Sequence, residues 1–430
     1  MKVNKYRWSD LSPAEQKQLL SRSEIDIAEV ADSVKDIIQM VRHSGDKALR
    51  ELNTRFDKAP ETTPIRVPEF HFTEAEESLP DKLKEAIKYA VENVRRFHSD
   101  QAPDGIRWKE IRPGIMAGER TTPIESAAFY IPRARGSFPS MLYMMAVPAG
   151  IARVPRLAMA SPPDSRGRVD AACLFTARLC GVEEVYAMGG SQAWAALALG
   201  TETVKPVAKC LGPGSKYVAA AKRLLGDVLD CGLPAGPSES IILADSTPDA
   251  EDIARNLLVE AEHGSDSAAL LITNSPQLAE DAARLVSEMG DTLPEPRRSF
   301  VTDVFSGYGG VILVDSIEEG AELCNLFATE HLQIRTADPF ATMGLIRNAG
   351  EILLGNNIPF SAANYAVGPN AVLPTGGRAR TWSGVSVHDF KKRSGVIYMS
   401  REGLKSLAPQ AALLAEYEGF PAHRRALELQ

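Results

Sequence analysis

The chain has 430 residues, which at roughly 150 per domain allows two or three domains and a substantial core without disulfide or metal staples. Apolar residues make up 44% and charged residues 24% of it, a balance that excludes a disordered chain. The 48 Lys and Arg against 56 Asp and Glu leave a net charge of −8, which argues against nucleic acid or an anionic membrane as partner. An anionic ligand would have to meet a local cationic pocket. The opening MKVNKYRWSDLSPAEQ lacks the apolar stretch of a signal peptide, and no run reaches the roughly 18 apolar residues of a spanning helix. A soluble, cytoplasmic protein is the expectation. Cys173, Cys180, Cys210, Cys231 and Cys324 are odd in number and form no CxxC pair, so neither a disulfide framework nor a thiolate metal site is expected.

Taken in chain order, the first hundred residues read as helices, with apolar positions recurring at steps of three and four. From about Ala127 short β-rich runs alternate with helical stretches. The runs AAFYIP, RLAMASP, EVYAMGG, PVAKCLGPG, SIILAD, AALLITN, GGVILVD, LQIRT and EILLG predict strands. This alternation predicts right-handed β-α-β crossovers and parallel sheets, and the strand number exceeds one comfortable sheet. Two α/β domains are therefore expected. The stretch from Pro359 to Ser386 is rich in Gly, Pro, Asn and Ser and reads as a long functional loop. The last forty residues return to helical periodicity.

Glycine-bearing turns follow three of the strands: Gly189-Gly190, the CLGPGSKY turn and LPAGPSES. Such turns let a phosphate approach helix N-terminal amides, but βα loops use glycine routinely and the GxGxxG fingerprint is missing, so the turns alone leave both readings even. Glu260 and His263 stand at i and i+3 near a predicted helix end, where both side chains project from one face as a two-ligand clip. Alone, that pattern is common. Glu330 and His331 are an adjacent acid and imidazole at a helix-to-strand junction, the pairing that general acid and base work needs. Taken locally, a solvated helix end with its imidazole near the C-terminal dipole explains them better.

The fragments together change this. Tyr130-Ile131-Pro132, GGSQA, LGPGS, LPAGPSE, EAEHG, ATEHL, NYAVGPNAVLPTGGRAR and EYEGFPAH resemble, in order and spacing, the histidinol dehydrogenase family from about residue 25 to the end. The resemblance implies two Rossmann-like α/β domains with parallel sheets, a helical N-terminal arm, and a helical C-terminal tail that reaches a partner subunit. The expected division is an arm over 1–28, a catalytic domain over 29–129 and 238–385, an NAD-binding domain over 130–237 and a dimerisation tail over 386–430. It further implies an NAD-dependent enzyme with one zinc per subunit, which oxidises a primary alcohol through an aldehyde to a carboxylate and spends two NAD. By the same resemblance Tyr130, Gln192 and Ser215 line the dinucleotide site, and Glu330 and His331 are the acid and base. Glu260, His263, Asn364 and His423 hold the metal, the last supplied across a homodimer. The expected substrate-binding residues are Ser238, Glu260, His263, His331, Asn364, Arg378, Glu418 and His423.

Departures bear on the substrate, which is either an anionic polyol or an amino alcohol. Members that oxidise histidinol resemble this chain but carry glutamine at the position of Glu260 and aspartate at that of Asn364, so a carboxylate and an amide have exchanged places. They also carry an imidazole where Ala371 stands and an asparagine where Ser215 stands. Arg378 and Trp382 replace small residues, and a guanidinium binds sulfonate, phosphate or carboxylate oxygens; a solvent-facing loop arginine explains Arg378 equally well. These changes resemble the branch that oxidises 2,3-dihydroxypropane-1-sulfonate to sulfolactate. The rival expectations are a true histidinol dehydrogenase, a Cys231 thiohemiacetal route and a non-catalytic ligand-binding relative.

Overall fold

A computed structural model describes residues 1–20, 27–102, 105–133 and 136–428. The chain opens with β1 (Lys5–Arg7) and α1 (Pro13–Leu20), then the long amphipathic helix α2 (Ala28–Leu52), the short α3 (Glu69–Ser78) and the amphipathic α4 (Asp81–Ser99). Two strands follow, β2 (Ile106–Arg112) and β3 (Ile115–Pro123). A first alternating series runs β4 (Ala127–Tyr130), α5 (Pro139–Ile151), β5 (Leu157–Ser161), α6 (Ala171–Leu179), β6 (Glu184–Ala187), α7 (Gly190–Leu199), β7 (Lys209–Leu211) and α8 (Lys216–Leu225). A second runs β8 (Glu239–Ala244), α9 (Ala250–Ala261), β9 (Ala268–Thr273), α10 (Pro276–Gly290), α11 (Arg297–Ser306), β10 (Gly310–Leu313), α12 (Ile317–Phe327), β11 (His331–Arg335), α13 (Pro339–Met343), β12 (Glu351–Leu354) and α14 (Phe360–Tyr365). β13 (Lys391–Met399), α15 (Arg401–Tyr417) and α16 (Pro421–Arg425) close the chain.

The strands of both series are buried almost throughout, as a parallel sheet covered by helices on both faces requires. The first series forms a four-stranded parallel sheet in the order β6-β5-β4-β7, and the second joins β1 in a six-stranded parallel sheet, β1-β10-β9-β8-β11-β12. In each sheet the strand order turns back beside its first strand, at β4/β7 and at β8/β11. The architecture is thus two Rossmann-like units.

Three features add detail to the sequence reading. The arm over 1–28 is not wholly helical, because β1 pairs with β10 as an edge strand. The helices of residues 29–99 were grouped with the second sheet, but they pack on the first. Phe72, Ile87 and Val94 meet Phe129 and Met159 on one face of it, and Val34, Ile38 and Leu49 meet Ala128, Tyr130 and Trp194 on the other. Periodicity identifies a helix's apolar stripe but not the sheet it covers. Finally, residues 105–123 and 391–399 form an antiparallel sheet, β13-β3-β2, absent from the sequence expectation. Its strands are largely exposed, with Trp108 44% and Ile397 73% accessible, so no buried face imposed a period-two pattern.

The Pro359–Ser386 stretch is the strap between the two units, and only its first turn is α-helical. Within it, the Tyr365 carbonyl accepts from the Tyr143 hydroxyl at 2.7 Å and the Ala366 carbonyl from the Asn93 amide at 2.8 Å. The Asn370 side-chain amide donates to the Met144 carbonyl. Helices on the first sheet thereby fix a segment that ends α14 on the second.

Candidate active site

The first crevice lies at the carboxyl ends of β4, β6 and β7, beside the β4/β7 turning point, where open parallel sheets bind ligands. Tyr130 ends β4, is 4% exposed, and its hydroxyl accepts from the Gly190 N–H at 3.0 Å. Burial pushes that phenol up to about 12, so it stays neutral. Gln192 is buried in the first turn of α7, and Ser215 is the exposed N-cap of α8. Neither α7 nor α8 has a side-chain cap, leaving first-turn N–H groups for a phosphate. Gly212 adopts φ +142°, and a Cβ there would lie 2.2 Å from the Tyr130 carbonyl oxygen, so only glycine lets these loops close together. Removing the hydroxyl in Tyr130→Phe orphans the Gly190 amide; about 0.5–1.5 kcal/mol of affinity is expected to go, seen as a severalfold rise in KM for NAD with kcat nearly unchanged.

The second cluster sits at the amino ends of β8 and β11, which pair in register with His331 opposite Ser240. Helix α9 runs back along the sheet and delivers Glu260 and His263 to this same edge. Glu260 is wholly buried. Its Oε1 accepts from the Asn364 side-chain amide at 2.6 Å, and its Oε2 lies 2.8 Å from His263 Nδ1. Burial works hardest against its charge, but His263, His331 and the Asn364 amide together hold the carboxyl down to about 2. His263 Nδ1 is also 2.9 Å from the Ser238 hydroxyl. Glu330 Oε2 accepts from the Glu239 N–H at 3.0 Å, and Glu239 Oε1 in turn accepts from the Gly376 N–H at 2.9 Å. Glu330 Oε1 is 3.7 Å from His331 Nε2, while His331 Nδ1 is 2.6 Å from Glu351 Oε1.

Burial holds the Glu330 carboxyl well above the usual carboxylate range, Glu260 adding to the effect and His331 opposing it. Burial pulls the His331 imidazole down, yet Glu260, Glu330 and Glu351 outweigh it and raise its hold on a proton. Two neighbours whose proton affinities are displaced in this way, in a water-poor recess, are equipped to pass protons.

The structure therefore brings Ser238, Glu260, His263, Glu330, His331 and Asn364 together. Among the described residues there is no group of three His, Cys, Asp or Glu fit to hold a metal ion. Of the expected metal ligands, one carboxylate, one imidazole and one amide converge, from Glu260, His263 and Asn364. Asn364 Oδ1 is buried without a hydrogen-bond partner among the described residues, an oxygen donor aimed at nothing in the chain. That orphan, with the ionised Glu260 beside it, suits an incomplete divalent-ion site. Glu418 and His423 are not brought in. They are exposed on α15 and α16, and no hydrogen bond or ion pair between described residues joins them to the cluster. Arg378 is exposed on a short 3-10 turn two residues beyond Gly376. Cys231 does not present a ready nucleophile: its thiol donates to the Lys222 and Leu229 carbonyls, each at 3.4 Å, and burial pushes it up to about 11.

Sequence reasoning passed over Glu239 and Glu351. The first lies inside the GPSE motif that already marked Ser238. The second had a subtler signal, since β11 is buried throughout yet places His331, Gln333 and Arg335 at alternate positions, a polar face that requires polar partners from β12 and α9.

A sequence model of histidinol dehydrogenases matches residues 20–430. The chain is 48% identical over 420 residues to the histidinol dehydrogenase of Synechocystis sp., spanning 97% of each chain. It is 47% identical over 428 residues to a histidinol dehydrogenase homolog of Colwellia psychrerythraea, spanning 99% of this chain and 96% of that one. The crystal structure of histidinol dehydrogenase from Elizabethkingia anophelis superposes with a TM-score of 0.93 at 33% identity, over 99% of this chain and 97% of the other. With a matching fold and near full-length identity, the chain belongs to the histidinol dehydrogenase family, whose members are NAD-dependent oxidoreductases that act on a CH–OH group in two oxidation steps.

Proposed function

We infer that the chain oxidises an anionic primary alcohol to a carboxylate, with (R)-2,3-dihydroxypropane-1-sulfonate as substrate and sulfolactate as product. The reaction consumes alcohol, water and two NAD, and releases carboxylate, two NADH and three protons. NAD, when bound, supplies the hydride acceptor, and a zinc ion held by Glu260, His263, Asn364 and His423 of the partner subunit would supply a fixed positive charge for substrate oxygens. His331 accepts the alcohol proton at Nε2. Glu330 then takes a proton from water as it adds to the aldehyde, and the same pair accepts the proton of the hydrate in the second oxidation. The burial of Glu330 and His331 limits the access of bulk water to these transfers.

The homodimer rests on two features of one protomer. The tail holds His423 exposed, with no hydrogen bond or ion pair between described residues joining it to the cluster, and α15 leaves Leu413, Leu414 and Tyr417 exposed at 63%, 64% and 91%, a face suited to burial against a second copy. Among the described residues no helix is long and apolar enough to cross a membrane.

The observation that carries the substrate assignment is the strap itself. Its Gly376 N–H donates to Glu239, the neighbour of Ser238, and Arg378 follows two residues later in the chain, while Ala371 packs against the apolar core and offers no imidazole; these support the reading. A guanidinium there favours a sulfonate over a cationic amine. Purified enzyme supplied with NAD and each alcohol separately, followed by NADH absorbance, is expected to turn over the sulfonate diol and barely use histidinol. The reverse preference overturns the assignment in favour of histidinol dehydrogenase, and no turnover of any alcohol favours a ligand-binding relative.

A further inference from the structure

We propose that Glu351 is the positioning carboxylate of His331, holding the ring by Nδ1 so that Nε2 is the nitrogen presented to Glu330 and to substrate. The inference rests on the reading of His331 as the proton acceptor given above.

Backbone pairing sets the geometry. Strands β11 and β12 are parallel, and His331 and Glu351 are direct cross-strand partners whose side chains emerge on one face. The junction is tied on both sides, the Gly350 N–H donating to the Thr329 carbonyl at 2.9 Å and the Glu351 N–H to the Glu330 carbonyl at 3.0 Å. Gly350 permits that approach, since a Cβ there would lie 2.5 Å from the Glu330 carbonyl oxygen. The Glu351 position is therefore fixed relative to the very residues whose side chains it serves.

Three carboxylates face the imidazole, and only one is committed to it. Glu260 is occupied by the Asn364 amide and by His263, and Glu330 takes the Glu239 N–H and stands 3.7 Å from Nε2. Glu351 Oε1 makes the one short contact, 2.6 Å to Nδ1, with the two side chains 12% and 4% exposed. A carboxylate accepts and does not donate, so Nδ1 must carry a hydrogen, and in the neutral ring the lone pair is then on Nε2. Phe360 closes the third side with its ring edge-on at 6.0 Å, so the imidazole cannot turn over without losing this bond. A partner that orients an imidazole typically costs 10- to 100-fold in activity when removed.

The test compares wild-type enzyme with Glu351→Ala, Glu351→Gln and Glu351→Asp, all full length. Two readouts are taken: histidine ring signals in 15N-labelled protein, with His331 assigned through His331→Asn, and steady-state kcat and KM. Wild-type protein is expected to show a strongly deshielded Nδ1–H. Glu351→Ala should lose that signal and drop kcat by about 10- to 100-fold with KM for NAD unchanged. Glu351→Gln still offers an oxygen to Nδ1–H and should keep the signal and recover much of kcat; it carries the test if Glu351→Ala fails to fold. A wild-type ring with its proton on Nε2, or Glu351→Ala with unaltered kcat, overturns the proposal. The ring signals do not depend on turnover, so a wrong substrate assignment leaves them intact and is told apart.

Discussion

His331→Asn is expected to slow oxidation of the alcohol by on the order of 10²- to 10⁴-fold while an added aldehyde is still oxidised, and Glu330→Gln to impose its loss on the aldehyde step. The division follows from geometry. His331 Nε2 and Glu330 Oε1 are 3.7 Å apart, too far for a direct bond and close enough for one hydroxyl beside them to contact both. In the proposed mechanism the imidazole takes the alcohol proton and the carboxyl, held by the Glu239 N–H, activates water. Because burial raises the Glu330 carboxyl, its base form grows in as pH rises above the usual carboxylate range, so aldehyde oxidation should increase with pH through an ionisation that Glu330→Gln abolishes. Single-turnover rates from alcohol and from aldehyde, across pH, measure both claims. If Glu330→Gln oxidises added aldehyde at the wild-type rate, the roles are misassigned. If either variant stops both steps alike, the two residues act as one unit, and the division of labour is wrong.

Much of this arrangement was legible before the fold was known, and the part that was not has a physical cause. Runs such as SIILAD and AALLITN announce buried parallel strands because both faces must be apolar, and Glu260 with His263 announce a shared helix face by their spacing. The strands Ile106–Arg112 and Lys391–Met399 stayed hidden because an exposed sheet imposes no hydrophobic alternation. The alternate polar positions of β11 call for a polar partner, but not for Glu351 in particular. Its relation to His331 is one of register between parallel strands, and the intervening fifteen or so residues hold no trace of it. Glu418 and His423 could be named only through the family resemblance. In one protomer the tail leaves them exposed, and nothing in their local spacing points toward the cluster they are proposed to complete.

Exchanging the two oxygen donors back should restore what either single change destroys. Among the proposed ligands Glu260 supplies the one carboxylate and the Asn364 amide donates to it at 2.6 Å, leaving Asn364 Oδ1 buried and unbonded among the described residues. With His263 and His423 of the partner subunit, the proposed ligand set carries one negative charge. Glu260→Gln removes that charge, sets two amides side by side and leaves the ion's charge uncompensated; zinc affinity is expected to fall by about 3–5 kcal/mol, roughly 150- to 5,000-fold in Kd. Asn364→Asp replaces the short hydrogen bond by two carboxylates at contact distance, and one must then hold a proton until a metal displaces it. Its metal binding should weaken steeply as pH falls, where that of the native site weakens less. In the double variant, the amide introduced at 260 donates to the carboxylate introduced at 364, so charge and hydrogen bond are both recovered with direction reversed. Affinity should return to within about tenfold of wild type, a coupling far larger than distant sites show. Metal content by elemental analysis and zinc Kd by chelator competition measure the whole cycle. A Glu260→Gln protein that retains its metal at native affinity, or a double variant no better than its worse parent, would mean these side chains do not share an ion.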